Sequence, residues 1–152
     1  MEQLDREMQK RVWQRVQSRE PEQMPQLPMD NIKPLILTAQ ENLAAYQYLS
    51  GQMGQRYRDT LTHLQRETQK SIACMQGVCQ MRGEQIKVPQ IKATREPARR
   101  TLGKCYHRER KLWREWEQRI SDPEHGVVFG QMANQSRERC GTIMELLGKL
   151  ER

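Results

Sequence analysis

The feature that most constrains the fold of this chain is an apolar periodicity of three and four residues over long segments. In the clearest segment, residues 55–82, seven side chains follow this spacing: Tyr57, Leu61, Leu64, Thr68, Ile72, Met75 and Cys79. Such spacing places side chains on one face of an α-helix. Gln, Arg, Glu, Leu and Met are frequent, whereas β-branched residues are few, and this composition favours helix over strand. The sequence therefore predicts an all-α protein.

Three further segments have helical patterns, and Gly or Pro residues separate them. Residues 30–53 are apolar on nearly all sides, with Asp30 as the candidate N-cap and Pro34 in the first turn. Residues 95–120 and 127–150 each carry one apolar stripe. The stripe expected for residues 95–120 consists of Leu102, Tyr106, Trp113, Trp116 and Ile120. A short turn joins the last two segments, and a longer linker, residues 84–94, joins the middle two. We therefore expect an antiparallel four-helix bundle of two hairpins joined by a crossover.

The N-terminal residues form a separate unit in this interpretation. Four apolar residues recur there at a spacing of four, beside one tryptophan: Leu4, Met8, Val12 and Val16, with Trp13. This pattern predicts an amphipathic helix over residues 3–18, and Pro21, Pro25 and Pro28 predict an extended connection after it. We therefore expect residues 1–29 to be an added N-terminal helix with a Pro-rich connection, and residues 30–152 to be the bundle.

The chain length of 152 residues fits this organisation. No stretch approaches the roughly 18 to 20 apolar residues that cross a bilayer, and the N-terminus has no apolar signal core. We therefore expect a cytoplasmic protein without membrane contact. The four cysteines have no CxxC spacing and no paired His nearby: Cys74, Cys79, Cys105 and Cys140. We expect reduced, buried thiols, with a zinc site or a disulfide framework as the alternatives.

The two hairpins look alike in sequence. Residues 67–77 align with residues 136–146, which places Lys70 on Arg139 and Met75 on Met144. The stretch from Ala39 to Tyr46 resembles the first core helix of the ferritin-like superfamily, in particular its rubrerythrin branch, and residues 129–150 resemble its last helix. The resemblance covers about residues 30–150 and implies a ferritin-like bundle.

The resemblance also implies a di-iron site, with one Glu from the first and third helices and a Glu-x-x-His pair from the second and fourth. Glu41 and Glu67 match this ligand set. The other positions carry Lys70, Thr101 or Arg100, Ser136 and Arg139. A protonated Lys or an Arg has no lone pair for a metal. We therefore expect an incomplete di-metal site, and in its place a core ion-pair network of Glu41, Glu67, Lys70 and Arg139.

The predicted fold, the incomplete metal site and the charge distribution indicate three possible functions. The leading one is a non-catalytic structural or interaction module, acting as a homodimer or with a protein partner, with no cofactor and no assigned catalytic residue. The second is an iron- or manganese-dependent redox protein whose metal site has fewer ligands than the family's, namely Glu41, Glu67 and His63. The third is a polyanion- or DNA-binding protein. Residues 95–120 hold nine basic and four acidic residues, so this segment carries a net charge of +5 out of the +7 of the whole chain. Its basic face would comprise Arg99, Arg100, Lys104, Arg108 and Lys111.

Overall fold

The computed structural model describes residues 32–150, which form four α-helices and one short 3₁₀ turn. The helices are α1 (Lys33–Gln52), α2 (Arg58–Met81), α3 (Ala98–Glu117) and α4 (Gly126–Leu150), and the 3₁₀ turn Gln55–Tyr57 precedes α2. The prediction of an all-α fold is confirmed, since residues 32–150 contain no strand. The predicted helix of residues 3–18, the Pro-rich connection and the Asp30 cap lie outside the described residues. Within the described range, no helix carries an apolar run long enough to span a bilayer.

Local chemistry sets the helix ends. At the end of α2, Gly83 adopts a φ of 85°, which costs a glycine little. Its amide donates to the Gln80 carbonyl at 3.0 Å, and the Glu84 amide donates to the Cys79 carbonyl at 3.0 Å. This pair of bonds satisfies carbonyls that the helix leaves open, as a Schellman motif does. The predicted stop at Gly83 therefore has a direct backbone cause.

The turn before α4 depends on one aspartate. The Asp122 carboxylate accepts hydrogen bonds from the backbone amides of Glu124 at 3.0 Å and His125 at 2.9 Å. This closes a tight turn and satisfies donors near the helix start. A Cβ atom on Gly126 would lie 2.2 Å from the carbonyl oxygen of Ile120. Only glycine therefore fits where α4 begins.

Two apolar clusters fill the interior, one toward each end of the bundle. The first contains Ile32, Leu35, Ile36, Ala39, Leu43, Ile72, Met75, Val78, Cys79, Leu112, Trp116, Phe129, Met132 and Ala133. The second contains Ala45, Tyr46, Leu49, Leu61, Leu64, Leu102, Cys105, Ile143 and Leu146. Helices α1 and α4 therefore run from the first cluster to the second, and α2 and α3 run in the opposite direction. The main packing pairs, α1 with α2, α1 with α3, and α3 with α4, are all antiparallel.

The linker between α2 and α3 follows the length of the bundle. It begins beside the first cluster, where Ile86 and Val88 pack, and ends at Ala98, which packs on the second cluster. The Tyr48 hydroxyl donates to the Glu96 carbonyl at 3.1 Å and holds the linker near α1. Residues 84–97 form neither helix nor strand, and this length of extended chain can reach roughly 46 Å. A helix the length of α1 spans about 30 Å, so the linker is long enough to cross the bundle.

A buried ion pair closes the end of the bundle at the first cluster. The Arg82 Nη2 atom lies 2.6 Å from the Asp122 Oδ2 atom, and both side chains are buried. The Arg82 guanidinium also contacts the Nδ1 atom of His125 at 3.1 Å and lies over the Phe129 ring, 5.7 Å from its centre. Burial alone would raise the pKa of Asp122, but bonds from the His125 amide and from Arg82 hold it below its usual value. The pair ties the end of α2 to the α3–α4 turn.

Candidate functional site

A layer of buried polar side chains separates the two apolar clusters. Each helix contributes to it: Asn42 from α1, Thr68 and Ser71 from α2, Glu109 from α3, and Ser136 and Arg139 from α4. A polar group this far from water is costly unless it has a partner. We call this set the polar layer, and its contacts determine what the interior can do chemically.

The centre of the polar layer is an ion pair between α3 and α4. The Nε atom of Arg139 lies 3.1 Å from the Oε1 atom of Glu109, and the two side chains are 6% and 1% exposed. Neither of these two atoms has a partner that meets hydrogen-bond geometry. At a distance of 3.1 Å, this means that the N–H of the arginine nitrogen does not point at the carboxylate oxygen. The contact is therefore a close charge–charge interaction, strengthened by the low dielectric of the interior.

The other oxygen of Glu109 binds α1. The Tyr46 hydroxyl donates to the Oε2 atom at 2.7 Å, and the Asn42 amide donates to the same atom at 3.2 Å. The Asn42 amide also donates to the Cys105 carbonyl at 3.1 Å. Burial, followed by the neighbouring Glu109 charge, raises the pKa of Tyr46 well above its ordinary value. The phenol therefore stays protonated and acts as a hydrogen-bond donor.

The guanidinium of Arg139 reaches toward α2 on its other side. It donates to the hydroxyl of Ser71 at 3.4 Å and to that of Ser136 at 3.2 Å. Ser71 in turn donates to the Gln135 side chain at 3.4 Å. The polar layer thus joins all four helices through one carboxylate, one guanidinium and neutral donors and acceptors.

The structure places the predicted network residues in two different environments. Arg139 lies in the core. The Glu41 side chain is 43% exposed, and its Oε2 atom lies 3.2 Å from the Nε atom of Arg108. Lys70 is 76% exposed, and it pairs with Glu67 on the same helix at 3.6 Å. The expectation that Glu41, Glu67 and Lys70 form a core network was therefore wrong.

In α1 the error is a rotation of one residue. In α2 the predicted stripe, which includes Thr68, is buried as expected, and Glu67 and Lys70 were added to the network only because the resemblance assigns metal ligands to their positions. The buried polar residues of α1 and α2 include Asn42, Thr68 and Ser71, each one position after the predicted Glu41, Glu67 and Lys70. One residue rotates the side chain by about 100° around a helix, which is enough to move it from the core to the surface.

In α3, the inward stripe differs from the predicted one, and Glu109 was missed. The buried residues of this stripe are Leu102, Cys105, Glu109, Leu112 and Trp116. Because these residues recur at a regular spacing of three and four, the sequence pattern could have predicted that Glu109 faces the core. The predicted stripe residue Ile120 lies beyond the end of α3 and is exposed. The hairpin alignment also pairs unlike positions, since Met75 is buried whereas Met144 is 53% exposed.

The proposed metal ligands do not meet at one point. His63 is exposed and lines, with Glu67, Glu138 and Arg139, a cavity of about 210 Å³ between α2 and α4. Glu41 instead lines a cavity of about 320 Å³ beneath the linker, which Thr101, Lys104 and Arg108 also line. Among residues 32–150, no three His, Cys, Asp or Glu side chains are grouped so that they could hold a metal ion.

The cysteines are all free thiols. Cys79, Cys105 and Cys140 are buried, whereas Cys74 is exposed, contrary to the expectation of four buried thiols. Burial raises the pKa of Cys105 to about 12 and that of Cys140 to about 11. These two thiols therefore carry almost no thiolate at neutral pH, the form that reacts as a nucleophile.

The predicted basic face lies along the outer side of α3. Arg99, Arg100, Lys104 and Lys111 are exposed, and Arg108 is half-buried beside Glu41. Lys104 pairs with Glu96 at 2.5 Å. This bond from Lys104 lowers the pKa of Glu96, with nearby arginines adding to the effect.

No protein-family model, curated protein or solved structure matches this chain.

Proposed function

We propose that this chain is a non-catalytic scaffold of the ferritin-like type that acts by binding. In this proposal, the Glu109–Arg139 ion pair occupies the layer of the bundle that holds two metal ions in metal-binding ferritin-like proteins. The observation that carries the proposal is the burial of this pair, 3.1 Å apart, midway between the two apolar clusters.

The path of the chain supports a ferritin-like topology. Ferritin-like bundles consist of two antiparallel hairpins joined by one long crossover. Here α1 and α2 form one antiparallel hairpin, α3 and α4 form the other, and the linker runs from the first cluster to the second. Because the linker returns along the bundle, α2 and α3 run in the same direction. This differs from a simple up-and-down bundle, in which consecutive helices alternate in direction.

The donor set of the polar layer does not fit a di-iron centre. Such a centre takes Glu from two helices and a Glu-x-x-His pair from the other two. The residues in this layer are Asn42 on α1, Thr68 and Ser71 on α2, Glu109 on α3, and Ser136 and Arg139 on α4. The i, i+3 spacing recurs on α2 and α4, but with hydroxyls and a guanidinium in place of carboxylates and imidazoles. The single carboxylate is already paired, and a guanidinium offers no lone pair.

Elemental analysis of the full chain, purified without chelators and again after loading with iron(II) or manganese(II) and desalting, tests this proposal. We expect less than stoichiometric metal under both conditions. One or two ions per chain would overturn it. If metal does bind, a His63→Ala variant that loses the metal would locate it near Glu67 at the surface, and a Glu109→Gln variant that loses it would locate it in the core.

A further inference from the structure

The outer side of α3 carries a regular row of basic side chains. Five exposed side chains follow a spacing of four, three, four and three residues: Arg100, Lys104, His107, Lys111 and Arg114. This spacing puts them on one face of the helix, where they extend over about 21 Å at 1.5 Å per residue. Arg110 is also exposed beside the row. We call these six residues the cationic row.

At one end of the row, Lys104 is paired with Glu96, whereas the acidic residues near the other end are occupied by groups outside the row. Glu115 lies 2.9 Å from the Nη1 atom of Arg119, and Glu117 accepts a hydrogen bond from the Trp113 ring nitrogen at 3.0 Å. By contrast, Arg110, Lys111 and Arg114 form no salt bridge with any carboxylate of residues 32–150. The field of this part of the row is therefore not cancelled by a nearby partner.

Four residues of the row line a groove. His107, Arg110, Lys111 and Arg114 border an open surface depression of about 580 Å³, together with Glu115 and Gln118. Glu115 is the single carboxylate of this lining, and it is paired with Arg119. A groove in which positive charge dominates concentrates field lines and attracts groups of the opposite sign. Arginine also has the geometry to bind phosphate through two parallel N–H bonds.

The chemistry of the cationic row favours a phosphate backbone over a folded protein as partner. The centre of a protein–protein interface is depleted of charge and enriched in aromatic and apolar anchors. The cationic row contains no apolar residue, and the large exposed apolar side chains lie elsewhere in the described range: Met81, Ile120, Val127 and Met144. A nucleic-acid duplex instead presents a regular array of negative charges, which suits cations repeated at each helical turn.

We propose that the cationic row binds the phosphate backbone of duplex DNA without reading base sequence. This inference names the partner of the binding scaffold proposed above and rests on that proposal. If Arg100, Arg110, Lys111 and Arg114 each neutralise one phosphate, log K should fall with log salt concentration with a slope of about −3.6.

Fluorescence anisotropy of the full chain with a labelled, mixed-sequence DNA duplex, measured over a series of NaCl concentrations, tests the inference. We expect a slope near that value, and a Lys111→Gln/Arg114→Gln double variant should reduce its magnitude by about two units. The matched control is Arg137→Gln/Lys149→Gln, which removes the same charge from exposed positions on α4 and should leave the slope almost unchanged. Circular dichroism of both variants verifies that the helices persist.

Absence of binding at low salt would overturn the inference, as would equal losses in the two double variants, because the effect would then come from net charge. Equally strong binding to polyglutamate would identify an acidic protein surface as the partner and would overturn the assignment to DNA. The metal content of the same sample is measured independently. Stoichiometric metal contradicts the scaffold proposal whether or not DNA binds, and failure to bind DNA leaves the scaffold proposal in place with another partner.

Discussion

The Glu109→Gln substitution is expected to destabilise the bundle strongly. It keeps the size of the side chain and an acceptor for Tyr46, but it removes the charge that faces Arg139. The guanidinium would then be buried with only the hydroxyls of Ser71 at 3.4 Å and Ser136 at 3.2 Å as partners. Neither hydroxyl carries a compensating charge.

The magnitude follows from burial. Both members of the pair are almost fully inaccessible to solvent, and breaking such a pair by removing one partner costs about 3–5 kcal/mol. For a domain of this size, that corresponds to a fall in Tm of about 10 °C. The pair itself need not add net stability, since burying both charges is also costly. Replacing both partners, as in Glu109→Gln/Arg139→Met, should therefore recover most of the loss.

Urea unfolding followed by tryptophan fluorescence and circular dichroism measures this effect. Trp116 is a suitable probe because it is buried and stacked on Phe129, with ring centres 5.5 Å apart. The matched control is Glu138→Gln, an exposed position on α4, which should change the free energy of unfolding by less than about 0.5 kcal/mol. A Glu109→Gln loss below about 1 kcal/mol, or a double variant no more stable than the single one, would refute the account of the polar layer.

Three further outcomes test other parts of the fold. Gly126→Ala should lower the free energy of unfolding by about 1–3 kcal/mol, because the added Cβ atom would clash with the backbone. Gly141→Ala, whose Cβ atom would meet nothing within 4 Å, should raise it by up to about 1 kcal/mol. The midpoints of urea unfolding compare the two variants. The folded pKa of Asp122 is lowered, so its contribution is complete above its unfolded pKa of about 3.9 and is lost as the pH falls through its folded value. An Asp122→Asn variant should therefore show a weaker loss of stability in acid, measured by urea unfolding across pH. In the native protein at pH 8, Cys74 should react with a thiol reagent much faster than Cys105, whose pKa is raised to about 12; mass spectrometry of the labelled chain identifies the modified residue.

The sequence predicted the existence of the helices because their signals are local. Apolar spacing marks each helix, and Gly83 ends α2 through its own backbone conformation, with a φ of 85°. The α3 segment was predicted too long at both ends. Its first turn follows Pro97, which has an extended backbone, and residues 118–121 already form a turn.

The sequence predicted the polar interior less well, because the rotation of each helix is not a local property. Helix α1 is apolar on most sides, so its periodicity does not distinguish Glu41 from Asn42 as the inward residue. Packing against α2 and α3 makes that choice. Glu67 entered the expected core network through the resemblance, although the predicted stripe of α2 already included its buried neighbour Thr68. Glu109 was left out because the stripe predicted for α3 differed from the buried one.

By itself, then, the sequence determined that this chain forms long helices, that Gly and Pro residues separate them, and that α3 carries most of the excess positive charge. Only the tertiary structure decided which carboxylate is buried beside Arg139. Arg139 was placed in the core from sequence, but its partner Glu109 lies 3.1 Å away on another helix, and it is selected by how α3 and α4 pack. Burying a guanidinium requires a compensating charge within a few ångströms, and that requirement is met in three dimensions, between residues that are distant in the chain.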